Sequence, residues 1–208
     1  MDDSIVGKPG FRYRTTFERP SKKIVDTYKE FMEQTGCLTG NVDDCIGRSA
    51  GMHYRIRPLK EGLRIVGPAL TVKTAPTDNL MIHKALTLVQ PGDVLVIDGG
   101  GVDSWALLGL LMTATAEEVG AAGIVVDGAV RDIAEIRQTG FPVFASGISP
   151  NGPFKNGPGE INFTIQCGGQ VVRPGDLIVA DDDGVVVVPT EHADEIAEQV
   201  RNVIEREE

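Results

Sequence analysis

The stretch GIVVDGAVRD, Gly123 to Asp132, constrains this chain more than any other. An apolar, β-branched run without polar alternation reads as a strand buried on both faces, the habit of parallel sheets. Val94 to Asp98 (VLVID) and Pro142 to Ala145 have the same character. A helical segment from about Leu110 to Val119 precedes Gly123, and this strand–helix–strand order implies a right-handed βαβ crossover. The expected class is therefore α/β. Just past the Gly123 run stand Arg131 and Asp132, where parallel sheets collect their functional groups. An arginine there can fork onto a carboxylate, and an aspartate can hold a divalent cation. The plainer reading is a helix-start aspartate beside a surface arginine.

The rest of the chain reads as three parts: an arm over residues 1–20, an α/β domain over 21–189 and a C-terminal helix over 190–208. Gly7, Pro9, Gly10 and Pro20 interrupt the arm, which shows no apolar period, so it is expected to be extended. Ser21 is a candidate N-cap for a helix to about Gln34 that Gly36 ends, and a short helix is expected from Asn41 to Cys45. Ile65 to Lys73 reads as a strand broken at Gly67-Pro68, and Thr77 or Asp78 as the cap of a helix to Val89. Val94–Asp98 and Ser104–Leu108, separated by Gly99-Gly100-Gly101, suggest a hairpin. Arg131-Asp132 leads into a short helix to about Thr139. The Pro-, Gly- and Asn-rich segment from Ser149 to Glu160 has the length of a functional loop. INFTIQ, QVV, DLIVA and VVVVP then predict a compact β layer, and Thr190 a cap for the last helix.

Charge excludes some functions. With 30 acidic and 20 basic residues, a formal net charge of −10 and no basic cluster, the chain would repel a phosphate backbone, so no nucleic-acid partner is expected. No run approaches the roughly 20 apolar residues that span a bilayer, and the N-terminus has no basic-then-apolar signal pattern, so the expected location is cytoplasmic, with no membrane partner. Cys37, Cys45 and Cys167 are scattered and odd in number, and are read as free thiols.

A helix starting at Gly109 would present the free amides of Gly109, Leu110, Leu111 and Met112, an anion site fitted to a carboxylate. Together with Arg131, those amides would hold a 2-oxo acid. Asp132 would then hold Mg²⁺ or Mn²⁺, mostly through water. His83 is a possible general base without a positioned partner, and His53 and His192 make no better case. Asp181-Asp182-Asp183-Gly184 reads as a turn, not a calcium loop, and Gly99-Gly100-Gly101 lacks nucleotide-loop spacing. In the Ser149 loop, Asn151 and Lys155 are within conceivable reach of a substrate, although a plain surface loop is the simpler reading.

PGDVLVIDGGG, the Gly109 segment, GIVVDGAVRD, FPVFASGISP and GDLIVADDDGVVVVP, spread from about Val25 to Pro189, resemble the RraA-like family. This family includes class II 4-hydroxy-4-methyl-2-oxoglutarate aldolases and a regulator of ribonuclease E activity. The resemblance implies a swivelling β/β/α fold with a central mixed sheet, assembled as a homotrimer or dimer of trimers. It also implies that the pyruvyl group sits on Gly109, Leu110, Leu111, Met112 and Arg131, with Asp132 carrying the metal. The aldolases place an acidic residue 21 positions before that arginine, where this chain has Leu110. Glu135, or a neighbour's Glu205-Arg206-Glu207-Glu208 tail, is a candidate replacement, with a solvated carboxylate the plainer reading of each.

The resulting expectation is a metal-dependent carbon–carbon lyase. It would release pyruvate from a 4-hydroxy-2-oxo dicarboxylic acid through an enolate, with oxaloacetate decarboxylation as a side activity. Arg131 and Asp132 would be its catalytic pair and a small 2-oxo acid its partner. The alternatives are a non-catalytic regulator that binds ribonuclease E, and a lyase on the same scaffold for another 2-oxo or sugar acid.

Overall fold

The computed structural model describes residues 4–207. In chain order its elements are β1 (Ile5–Lys8), β2 (Phe11–Arg14), α1 (Lys22–Thr35), α2 (Thr39–Cys45), β3 (Arg57–Pro58), β4 (Ile65–Thr74) and α3 (Leu80–Leu86). There follow β5 (Val94–Leu108), α4 (Leu110–Glu118), β6 (Gly123–Val130), α5 (Ile133–Thr139), β7 (Val143–Ile148), β8 (Gly159–Ile161), β9 (Ile165–Cys167) and β10 (Gln170–Val172). The chain closes with β11 (Leu177–Asp181), β12 (Gly184–Val188) and, after a 3₁₀ turn, α6 (Ala193–Glu207).

The main sheet runs β1-β2-β8-β4-β5-β6-β7-β3, and β4 through β7 are mutually parallel. Period-two alternation sorts each strand between two layers. Leu95 and Ile97 of β5, with Ile124 and Val126 of β6, face α3, α4 and α5 through Ile82, Met112 and Ile136. Val94, Val96 and Val125 face the other way, onto Ile178, Ala180, Val185 and Val187 of the β11–β12 hairpin. The outer residues of that hairpin, Leu177, Val179, Val186 and Val188, pack under α1, α2 and α6 through Tyr28, Val42 and Val200. The result is the mixed α/β architecture expected, with a β layer sandwiched between the main sheet and a helical layer.

Several local expectations are corrected. Val94–Leu108 is one strand, not a hairpin: both halves pair with β6, and the register slips between Asp98↔Asp127 and Val102↔Gly128. Gly100 and Gly101, at φ 69° and 68°, absorb the surplus residues as a wide bulge, so the strand kinks without reversing. Nor is β4 broken. Gly67-Pro68 is where it passes from β11 to β5, with Pro68 opposite Leu177 and Ala69 opposite Val94, so the missing proline donor falls at the hand-over.

INFTIQ is two strands, because Asn162 takes φ 60° and turns the chain between β8 and β9. The arm is a hairpin whose second strand pairs in parallel with β8 of the same chain, while residues 1–3 of that predicted segment lie outside the described residues. Helix α3 starts after Asn79 and ends at Leu86, and α2 starts at Thr39. Thr190 caps no helix; it lies in the 3₁₀ turn, where its hydroxyl donates to the Gly175 carbonyl. The reading of α1 holds: Ser21 accepts from the Ile24 amide and Gly36 ends the helix at φ 76°. Among the described residues no helix is long and apolar enough to cross a membrane.

Candidate functional site

The bulge in β5 is what brings the predicted residues together. It delivers Leu108 and Gly109 beside the end of β6, where the Arg131 amide donates to the Leu108 carbonyl at 3.1 Å. Helix α4 and helix α5 therefore start side by side at the carboxyl ends of parallel strands. Asp132 precedes α5 in the left-handed conformation, φ 60° and ψ 39°, which aspartate tolerates better than most residues. In that conformation its carboxylate does not cap its own helix. Instead, Oδ2 accepts the Leu110 amide at the start of α4, at 3.0 Å.

The first turn of α4 thus holds a carboxylate, that of the protein's own Asp132. Arg131 stands 3.9 Å from the same oxygen through Nε, and both side chains are nearly half exposed. Gly109, at φ −151°, needs no special backbone freedom; it is required because a Cβ there would collide with Asp132 Oδ2 and lie 3.0 Å from Arg131 Cγ. The Leu111 side chain is 83% exposed at the mouth, and Met112 is buried.

These residues line a cleft of about 130 Å³ together with Asn79, His83, Pro153 and Lys155. That is small beside the roughly 300–1,000 Å³ of pockets for drug-sized ligands. The Ser149 segment is fastened rather than loose. Ser149 Oγ and Asn151 Nδ2 both donate to the Ser104 carbonyl, Phe154 stacks on Trp105, and the Asn156 amide donates to Asp78 Oδ2. Gly152 leaves room for the Arg131 guanidinium, because a Cβ there would fall 2.9 Å from Nη1.

Sequence reasoning undervalued two residues: His83, discounted for want of a positioned partner, and Lys155, read as part of a plain surface loop, line the cleft together. Partial burial, and then the nearby Lys155 charge, hold the His83 pKa below its usual value, so the imidazole is neutral at pH 7. Asn79 is almost fully buried at the cleft floor. Its Nδ2 donates to the Leu107 carbonyl and approaches Met112 Sδ, while its Oδ1 has no hydrogen-bond partner. The only advance signal was proximity in sequence to Asp78 and to the glycine-rich loop. Asn151, by contrast, is committed to holding that loop onto β5.

Other candidates fall elsewhere. Leu110 packs against the hydrophobic core and offers no ligand, and Glu135 is not among the residues lining the cleft. Glu207 accepts from Asn41 of its own chain, and Glu208 lies outside the described residues. His53 stacks on Tyr54, and the exposed His192 lies 4.0 Å from Glu195. Among the described residues one cluster has metal-like spacing: Cys37, Asp181 and Asp183. Asp181 is no free ligand, since it accepts from the Leu38, Thr39 and Asp183 amides and the Thr39 hydroxyl, which together anchor the start of α2. Burial and the hydrogen bond with Asp183 push the Cys37 thiol up to about 12, away from the thiolate that metals bind.

The site is a strand-end cleft of an α/β fold, lined by the first turn of α4, an arginine and an aspartate. The chain matches the model of the RraA-like family, described as Aldolase/RraA, over residues 23–187, and it belongs to that family. It is 41% identical over 77% of its length to a protein of Halalkalibacterium halodurans provisionally named as a 4-hydroxy-4-methyl-2-oxoglutarate aldolase, of which it covers 76%. Among solved structures it resembles Streptomyces coelicolor RraAS2, described as an unusual member of the RNase ES inhibitor RraA protein family. That match has a TM-score of 0.76 and 31% identity, and covers 91% of this chain and 96% of the other. An uncharacterized Pseudomonas syringae protein matches with a TM-score of 0.80 and 27% identity, over 92% and 88% of the two chains.

Proposed function

We propose that this protein is a metal-dependent lyase that releases pyruvate from a 4-hydroxy-2-oxo dicarboxylic acid of the 4-hydroxy-4-methyl-2-oxoglutarate type. The observation that carries the reading is the Leu110 amide holding a carboxylate beside Arg131. The provisional aldolase name of a 41%-identical relative supports it.

In this reading the substrate's carboxylate takes the place of Asp132 on the first-turn amides of α4, where the helix dipole and unpaired N–H groups favour it. Arg131, freed from Asp132, forks onto the carboxylate and the 2-oxo oxygen and stabilises the negative charge that develops as the C3–C4 bond breaks. A water takes the proton of the 4-hydroxyl group as that bond opens, and the resulting enolate is protonated at carbon to give pyruvate. Oxaloacetate reaches the same enolate by losing carbon dioxide.

Displacement also frees Asp132 Oδ2. Among the described residues Asp132 belongs to no group of three or more acidic, histidine or cysteine ligands, which fits a cation that keeps most of its waters, such as Mg²⁺ or Mn²⁺. Such an ion, when bound, supplies Lewis-acid charge near the 2-oxo oxygen. The highly exposed Leu111 at the cleft mouth fits a neighbouring subunit completing the site, in a homotrimer or dimer of trimers.

The test is pyruvate release from 4-hydroxy-4-methyl-2-oxoglutarate and from oxaloacetate, with Mg²⁺ and with a chelator. Release from both that the chelator abolishes is expected; silence on both from a folded protein overturns the proposal. One observation favours a second reading. Leu110 puts a core side chain where the aldolases carry an acid, so a silent protein would point to a binding role like that of the RNase ES inhibitor family.

A further inference from the structure

A groove of about 280 Å³ lies at the outer edge of the main sheet and shares no residue with the cleft at α4. Strand β3 closes that edge only in part. It pairs with β7 at Phe144 and Ala145 alone, so Gly147 and Ile148 have β6 on one side and, among the described residues, no strand on the other. An edge strand presents unpaired N–H and C=O groups in the pattern that a further strand would use. Ile148, 60% exposed, stands at the end of this one.

Three arginines line the same groove. Arg55 is paired with Asp103 and so brings no net charge. Arg57 and Arg137 are instead fastened to main-chain carbonyls: Arg57 Nε donates to Tyr54 at 2.8 Å and Nη1 to Asp183 at 2.9 Å, while Arg137 Nε donates to Leu59 at 2.7 Å. A carbonyl orients a guanidinium without neutralising it. Among the described residues neither arginine has a carboxylate within ion-pair distance, although acidic residues outnumber basic ones by 30 to 20 in this chain. Both Nη groups of Arg137 and Nη2 of Arg57 therefore remain for another acceptor, already held in place by bonds that a ligand need not supply. The net charge of −10 does not oppose this at contact, because exposed charges more than about 8 Å away are largely screened at physiological salt.

We infer that the β7 edge docks an extended acidic segment of another protein, which adds as a strand beside Gly147 and Ile148 and places its carboxylates on Arg57 and Arg137. The open edge supplies main-chain hydrogen bonds, and the two guanidiniums supply the choice of an acidic sequence. Neither the cleft at α4 nor the lyase chemistry takes part.

The probe is a fluorescein-labelled peptide, Glu-Val-Glu-Val-Glu-Val-Glu, titrated with the full chain at about 0.15 M salt and followed by fluorescence anisotropy, beside the same peptide with serine for every glutamate. The acidic peptide is expected to bind about tenfold or more tightly than the serine one, the scale of one charge-assisted hydrogen bond. Arg57→Gln together with Arg137→Gln should remove most of that preference, and amide hydrogen exchange at Gly147 and Ile148 should slow when the peptide binds. No binding, which is what arginines that only guard a bare edge predict, overturns the inference. So does equal binding of the two peptides, a double variant that keeps the preference, or binding without slowed exchange at Gly147. If the double variant does not fold, the two peptides and the exchange measurement on the wild type decide alone. Slow exchange at Gly147 in the free protein that is lost on dilution would mean that a second copy of the chain already covers the edge, and overturns the inference as well.

Discussion

Gly109→Ala isolates the site from the fold. At φ −151° and ψ −164° the backbone accepts alanine without strain, so the effect is one of space alone. The new methyl group would enter the position of Asp132 Oδ2 and crowd Arg131 Cγ at 3.0 Å. Relief requires Asp132 to leave the Leu110 amide. Hydrogen bonds to charged groups contribute about 1.5–3 kcal/mol, but these side chains are 46% and 42% exposed, so solvent reduces the loss to about 1 kcal/mol. For a domain of this size that lowers Tm by about 2–4 °C. The same methyl group obstructs the anion site, and a misplacement of about 1 Å costs roughly 100-fold in rate. Pyruvate release and a thermal melt, run on the same sample, should therefore show about 100-fold lower kcat/KM with a nearly normal Tm. Full turnover by Gly109→Ala would refute the placement of the substrate carboxylate on α4.

Two further perturbations separate chemistry from architecture. Arg131→Ala is expected to abolish turnover and inhibition by pyruvate together, whereas Asp132→Ala should remove the response to added Mg²⁺; an Arg131→Ala enzyme with wild-type kcat/KM contradicts the assignment. Asp181→Asn should leave the metal response intact but lower stability by about 2–4 kcal/mol, because a buried acceptor of four donors is replaced by a group that also presents N–H. Burial alone would raise the Asp181 pKa, but the hydrogen bonds from Thr39, Leu38 and Asp183 outweigh it and leave the pKa below the ordinary 3.8. Its stabilisation is therefore present above pH 3.8 and lost as pH falls below that value; urea midpoints of wild type and Asp181→Asn should converge only in that acidic range.

Much of this protein was legible in the chain itself. The β-branched runs at Val94, Gly123 and Pro142 marked parallel strands, because a strand buried on both faces has no polar positions to alternate. Ser21 and Gly36 bounded α1 by the chemistry of free amides and carbonyls. The adjacency of Arg131 and Asp132 at a strand end, and a helix start at Gly109, were visible because they depend on local order alone. The family followed from the same segments.

Tertiary structure decided what depends on pairing at a distance. Three consecutive glycines serve equally as a hairpin turn or a bulge, and only the continued register with β6 selects the bulge that carries Gly109 to Arg131. Gly67-Pro68 resembles a break until β4 is seen changing partners there. That Asp132 reaches across to α4 instead of capping α5 follows from its left-handed backbone, which local sequence does not impose. The grouping of Asn79 and His83 with Lys155 joins residues more than 70 positions apart through the anchoring of one loop. Periodicity and capping record the energetics of neighbours along the chain, whereas a cleft is made by the packing of elements whose contacts no local pattern encodes.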